Sequence, residues 1–318
     1  MNFSLKGFIA AVIVCVIIIS AKYFYSGKLS AQIDKGICRA AQLKHVENLY
    51  IGSSMFRKGI NLHEDNSKSF VINYNGLDPV LESLILEQLL RGGLKVENLY
   101  VDMYAFSAAR PSWPGDLRLM FDSPAELKLK IWRNTMKDPR AEIFAATWEL
   151  FGHAENGMFL LWPLYRKFAA ARYDRGGYTL SNIRPGRTLE EFARADPPSV
   201  ERLSLDITQK SAIVKIVELC RENGVNVIFA ETPKYSGLNS NSEYLSLMKE
   251  YIELLNDCDV KYIVSRSTAD GTGAAVEKNA YVYDFPYEDP ALFEDYVHLS
   301  TEGSRKFMRV LSSSRHML

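Results

Sequence analysis

The chain has 318 residues, 47% of them hydrophobic, enough for one large domain or two small ones with a substantial core. Lys+Arg and Asp+Glu are 38 each, so the formal net charge is +0. That balance argues against a nucleic-acid partner and against an acidic solvating tail, and the chemistry has to be read from local groups of residues.

The first element is apolar. Residues 7–21 carry no charge, and their centre reads Phe8-Ile9-Ala10-Ala11-Val12-Ile13-Val14-Cys15-Val16-Ile17-Ile18-Ile19 between Lys6 and Lys22. With Leu5 and the aromatic Tyr23-Phe24-Tyr25 the segment approaches the roughly 20 residues a spanning helix needs, flanked by lysines and interfacial rings. Residues 1–25 are therefore expected to form a transmembrane signal anchor. A cleaved signal peptide is the rival reading; Ile19, two before Ala21, stands where a cleavage site wants a small residue. Orientation is contested. Lys22, Lys28, Lys35 and Arg39 follow the span and only Lys6 and the amino terminus precede it, which leans toward a cytoplasmic body. Long domains translocate largely regardless of charge, and the site described below suits an envelope substrate, so the expectation is a single-pass cell-membrane protein with its body outside the cytoplasm. Cys15 lies in the span, and Cys38, Cys220 and Cys258 are scattered without CxxC spacing, so no metal site is expected and plain buried thiols are favoured over a disulfide.

Residues 26–44 read as a stalk with a short helix leading into a domain over 45–318. Strands are expected at 46–51, 69–73 and 96–104. Between the last two, residues 78–91 carry apolar side chains at helical spacing and stop at Gly92-Gly93. The stretch of about 105–206 breaks the pattern with Trp113, Trp132, Trp148, Trp162 and several prolines, and reads as a mainly helical and loop insertion over the sheet. The alternation then resumes, with helices at 207–223, 243–255 and 301–311 and strands at 225–230, 260–264 and 281–283. Short apolar strands alternating with capped helices predict an α/β fold with a central parallel sheet covered on both faces. In such sheets functional groups gather at the carboxyl ends of the strands.

Two motifs carry chemistry. Leu49-Tyr50-Ile51-Gly52-Ser53-Ser54 is an apolar strand that stops at Gly-Ser-Ser. A serine at a strand-to-helix turn exposes its hydroxyl, and the amides that open the helix face any oxyanion that forms, so Ser54 is the candidate nucleophile and Ser53 its easily confused neighbour. A plain turn or helix cap is the competing reading. Near the other end, Asp295 and His298 are three apart, which puts both on one edge of a helical or tight turn; Asp295 then orients the imidazole, and the imidazole takes a proton from Ser54. The competing reading has Asp295 capping the final helix. The run from Glu231 to Tyr235 follows a strand, where its side chains either line a pocket or make a turn fixed by Pro233.

Ile51-Gly52-Ser53-Ser54 resembles the Gly-Asp-Ser block of the SGNH/GDSL hydrolase superfamily, with Ser53 in place of the aspartate, and Asp295-x-x-His298-Leu299 is similar to that superfamily's last block. Asn75-Gly76 looks like the block whose glycine N–H joins the oxyanion hole. The resemblance covers roughly 45–104 and 207–311. It implies a three-layer, flavodoxin-like sandwich, a Ser54–His298–Asp295 triad, oxyanion donors from the amides of Ser54 and Gly76, and no metal or organic cofactor. The superfamily's Gly-x-Asn-Asp block is missing: Val101-Asp102-Met103-Tyr104-Ala105-Phe106-Ser107 follows the third strand instead. That departure and the anchor are similar to a membrane-anchored branch, which includes the D protein of teichoic-acid D-alanylation and the companions of alginate and cellulose O-acetylation. This branch implies a serine O-acyltransferase or esterase, a polysaccharide or teichoic-acid-like acceptor, and a membrane-bound O-acyltransferase as partner. An envelope carbohydrate esterase and a catalytically silent scaffold on the same fold are the alternatives.

Overall fold

Six strands form one all-parallel sheet in the order β2-β1-β3-β4-β5-β6: β1 (His45–Gly52), β2 (Ser69–Asn73), β3 (Lys95–Asp102), β4 (Asn226–Ala230), β5 (Lys261–Ser265) and β6 (Ala280–Tyr283). In the computed structural model the residues described are 37–62, 68–103, 185–195 and 205–315, together with 119, 123, 124, 126, 127, 130 and 131. They belong to one unit, Lys35–Thr135 with Arg172–Leu318. The expected anchor at 1–25, the stalk as far as residue 36 and most of the insertion at 105–206 lie outside the described residues. Among the described residues no helix is long and apolar enough to cross a membrane.

The strands are buried on both faces, which is why they read as unbroken apolar runs rather than alternations. Leu49, Ile51, Leu99, Val101, Val227 and Phe229 point to one side. There they meet helices α3 (Pro79–Arg91), α5 (Ile207–Asn223) and α7 (Ser242–Asp257), which supply Leu81, Ile85, Ile213, Ile216, Leu247 and Tyr251. Tyr50, Tyr100, Ile228 and Ile263 point to the other side, against α2 (Ser54–Gly59) and α9 (Thr301–Ser314) with Phe56, Phe307 and Leu311. These are the three layers of a flavodoxin-like α/β fold. The remaining short helices are α1 (Ile37–Ala40), α4 (Leu189–Arg194), α6 (Ser236–Asn239) and α8 (Arg266–Thr272), with a 3₁₀ turn at Pro290–Leu292.

The helix limits follow from local chemistry. Asp78 caps α3 by accepting from the Leu81 N–H, with Pro79 at the first helical position. Asp206 and Gln209 form a reciprocal capping box at the start of α5, and Gly224, with φ 66, closes it in the left-handed conformation. The chain runs β1 to β2 in one direction and from β3 onward in the other, so the topological switch falls between β1 and β3, where ligand crevices form in open parallel sheets.

Candidate active site

At that switch point β1 ends in Ile51-Gly52 and the chain turns directly into α2. Ser53 is the N-cap: its Oγ accepts from the Met55 N–H at 3.1 Å, and its carbonyl accepts from the Arg57 N–H at 3.1 Å. Ser54 thereby becomes the first residue of the helix, with a part-buried side chain. Only glycine fits before it. A Cβ on Gly52 would stand 2.5 Å from Asp102 Cβ and 2.9 Å from the Phe56 ring.

The partner residues come from the other end of the chain. Phe293 and Leu299 form an antiparallel bridge, and the Glu294 N–H donates to the His298 carbonyl at 2.8 Å, which closes the 293–299 loop. Inside it, Asp295 Oδ1 accepts from the backbone N–H of Val297 (2.9 Å) and of His298 (2.8 Å), and Asp295 Oδ2 lies 2.7 Å from His298 Nδ1. His298 Nε2 lies 2.9 Å from Ser54 Oγ. A carboxylate only accepts, so Nδ1 carries the proton and Nε2 is left to accept from the serine hydroxyl. Burial pushes the Asp295 carboxyl up, but the hydrogen bond and charge of His298 and the two backbone N–H groups outweigh it and hold the group below the usual carboxylate range. The Ser54 N–H makes no backbone hydrogen bond among the described residues, so it is available to a negative oxygen above the helix. The last helix does not need Asp295, because Ser300 caps α9 through the Gly303 N–H at 3.2 Å.

The loop is braced from two directions. Lys58 of α2 reaches Glu294, next to Asp295, at 2.6 and 2.8 Å, tying the helix that carries Ser54 to the loop that carries His298. From the return of the insertion, the Arg187 N–H donates to the Phe293 carbonyl at 2.9 Å, and Tyr296 Oη lies 3.3 Å from the carbonyls of Phe192 and Ala195. Phe192 stacks on Tyr235 with ring centroids 3.9 Å apart, and the Tyr235 N–H donates to the Tyr296 carbonyl at 3.0 Å.

Of the residues expected from sequence, Ser54, His298 and Asp295 are joined by hydrogen bonds. Ser53 lies behind them, buried, with its Oγ 2.5 Å from Asp102 Oδ2. Asn75 and Gly76 occupy the turn after β2, where Gly76 has φ 68. This turn is on the same sheet edge: Asn73 pairs with Gly52, and the Tyr74 N–H donates to the Gly52 carbonyl at 3.2 Å. Among the described residues Gly76 makes no backbone hydrogen bond to Ser54, His298 or Asp295. Tyr104 through Ser107, where an oxyanion asparagine is missing from the sequence, lie outside the described residues. Among the described residues no group of acidic, histidine or cysteine side chains could hold a metal ion. Cys220 is a buried free thiol, and Cys258 is free and half-buried.

The Glu231–Tyr235 run is not an open pocket lining. Glu231, Thr232 and Lys234 are fully buried. Glu231 accepts from the hydroxyls of Tyr244 and Thr268, each at 2.6 Å, and from the Ser265 N–H at 2.8 Å. Lys234 Nζ donates to the Thr232 carbonyl at 2.9 Å and sits 4.9 Å from the centre of the Tyr244 ring. Sequence alone assigns no role to Asp102, and it places Lys234 in a pocket lining or a turn and 185–195 in the insertion, whereas Lys234 is buried. The one available signal was an acidic residue ending the apolar strand Leu99-Tyr100-Val101. No family model matches the chain, and no curated protein is significantly similar to it.

Proposed function

We propose that the protein is a serine esterase or O-acyltransferase of SGNH-like type, working through Ser54, His298 and Asp295. The observation that carries this is the unbroken run of hydrogen bonds from Asp295 through His298 to Ser54 Oγ, on a serine that opens a helix at the carboxyl edge of a parallel sheet. A capping serine or a filler histidine would need neither the acid on Nδ1 nor the hydroxyl on Nε2.

In this reading Ser54 Oγ attacks an ester or thioester carbonyl while His298 Nε2 takes its proton. The Ser54 N–H, with the Gly76 N–H on the neighbouring turn, stabilises the negative oxygen of the tetrahedral intermediate. His298 then hands the proton to the leaving alcohol or thiol as the carbonyl–leaving-group bond breaks, and an acyl-Ser54 remains. An incoming hydroxyl, of a sugar, a polyol or water, gives its proton to His298 and attacks the acyl carbonyl, and His298 returns that proton to Ser54 Oγ as the acyl–Oγ bond breaks. Asp295 stays ionised throughout and stabilises the imidazolium. The resemblance to the anchored envelope branch extends the proposal to a polysaccharide or teichoic-acid-like acceptor, a membrane-bound O-acyltransferase as donor partner, and a body outside the cytoplasm.

The test is fluorophosphonate labelling of the purified full-length chain. Labelling of wild type that disappears in Ser54→Ala and His298→Ala supports the proposal. Folded wild type that takes no label refutes an activated serine in the isolated chain. Turnover of p-nitrophenyl acetate with and without a sugar acceptor, followed by product analysis, then separates transfer from hydrolysis.

A further inference from the structure

Directly behind Ser54 the fold buries a carboxylate whose side-chain hydrogen bonds, among the described residues, run to the turn that carries this serine. Asp102 is the last residue of β3, and the register Ile51 to Val101 sets it beside Gly52. It is 1% exposed. Its Oδ2 accepts from the Ser53 N–H at 3.2 Å and from the Ser53 hydroxyl at 2.5 Å, while Oδ1 has no partner among the described residues. Because the Ser53 hydroxyl gives its one proton to Asp102, its oxygen is free to accept the Met55 N–H. One hydroxyl thus links the end of β3 to the first turn of α2. The polarity of that link depends on an acceptor-only group at 102; a neutral amide presenting its NH₂ would reverse it.

A buried carboxylate is costly unless a positive charge accompanies it. Lys234, fully buried at the carboxyl end of β4, supplies that charge to both Asp102 and Glu231. The other titratable groups around Asp102 are Glu82 on α3, with Asp78 beyond it, and Tyr244 and Tyr251 on α7. Burial, reinforced by the charges of Asp102 and Asp78, lifts Glu82 well above the usual carboxylate range, and neither of its side-chain oxygens has a partner. Lys234 is thus the one cation named among these groups, next to Asp102 and Glu231.

We infer that Asp102 is a positioning residue for Ser54: its ionised carboxylate, balanced by Lys234, holds Ser53 and the first turn of α2 so that the Ser54 hydroxyl meets His298. This rests on the reading of Ser54 as nucleophile. Asp102 acts through Ser53 and touches no reacting atom.

The experiment measures the second-order rate of fluorophosphonate labelling of the full-length chain between pH 5 and 9, alongside its thermal unfolding. Wild type is compared with Asp102→Asn, Ser53→Ala and Ser53→Thr. Folded Asp102→Asn and Ser53→Ala are expected to label about 10- to 100-fold more slowly, the scale set by displacements on the order of 1 Å at a reacting group. Ser53→Thr, which keeps the hydroxyl, recovers most of the rate. The acid side of the wild-type profile includes a fall from protonation of Asp102, and that component is absent in Asp102→Asn. Wild-type labelling rates in folded Asp102→Asn overturn the inference while leaving the nucleophile assignment standing. If Asp102→Asn does not fold, the serine pair decides: equal rates for Ser53→Ala and wild type overturn the inference, and a slow alanine with a fast threonine supports it. Absence of labelling in wild type overturns the nucleophile assignment and this inference together.

Discussion

Gly52→Ala tests the turn before Ser54, the proposed nucleophile, with a single methyl group. The added Cβ would sit 2.5 Å from Asp102 Cβ and 2.9 Å from two atoms of the Phe56 ring. Carbon atoms rest at about 3.5–4.0 Å, so the clash is relieved only when the ends of β1 and β3 part by about 1 Å or more. Neither neighbour yields cheaply: Asp102 Cβ is fixed to the strand backbone, and Phe56 is completely buried. Overpacking of this kind costs about 1–3 kcal/mol. For a domain of this size each kcal/mol lowers the unfolding midpoint by about 2–4 °C, so the expected drop is between about 2 and 12 °C. The displacement also reaches the chemistry, because Ser54 is two residues on and Asp102 holds the residue between. A shift of about 1 Å at a reacting group costs on the order of 100-fold. Circular-dichroism melting and fluorophosphonate labelling of the same sample measure the two effects. An alanine variant with the wild-type midpoint refutes the packing argument. A lowered midpoint with unchanged labelling of the folded protein refutes the link from the turn to the serine.

Asp295→Asn keeps the shape of the acid but turns an amide N–H toward His298 Nδ1, which favours the wrong tautomer; turnover of p-nitrophenyl acetate should fall by about 10⁴ while the fold is retained. Lys58→Met removes the ion pair to Glu294, whose side chains are 18% and 36% exposed, so stability should drop by no more than about 1 kcal/mol. Its labelling rate should fall several-fold, and added salt should bring wild type toward the variant. Desolvation by burial raises Asp102 to about 6, against the hydrogen bonds of Ser53 and the charge of Lys234, whereas an unfolded aspartate titrates near 4. The native state therefore binds more protons than the unfolded chain in that window, and this residue's contribution to stability falls by roughly 3 kcal/mol as pH rises from about 4 to about 6. Urea unfolding across the window should show that slope reduced in Asp102→Asn relative to wild type; parallel curves would refute the raised value.

Much of the secondary structure was legible because its causes are local. The helix expected at 207–223 and the strand at 69–73 match α5 and β2 to the residue, since a capping box, a closing glycine and an unbroken apolar run are written within a few positions of each other. The short helices α4, α6 and α8 were not legible as elements: four to seven residues hold too few turns to set up an apolar period. The Asp295–His298 pair was readable for the same local reason, as two side chains three residues apart in one tight loop.

The sequence by itself determined the alternation that makes a parallel sheet, the serine at the end of its first strand, and the aspartate and histidine before its last helix. Tertiary structure decided which strand ends lie side by side. Strand order and register carried His298 to Ser54 across 244 positions of chain and set Asp102 beside Gly52. They also left Lys234 buried among groups from other elements, although its flanking sequence reads as an ordinary turn. Hydrophobic period and capping act over a few residues, whereas the balance of a buried charge depends on every group packed around it, and only the folded chain brings those groups together.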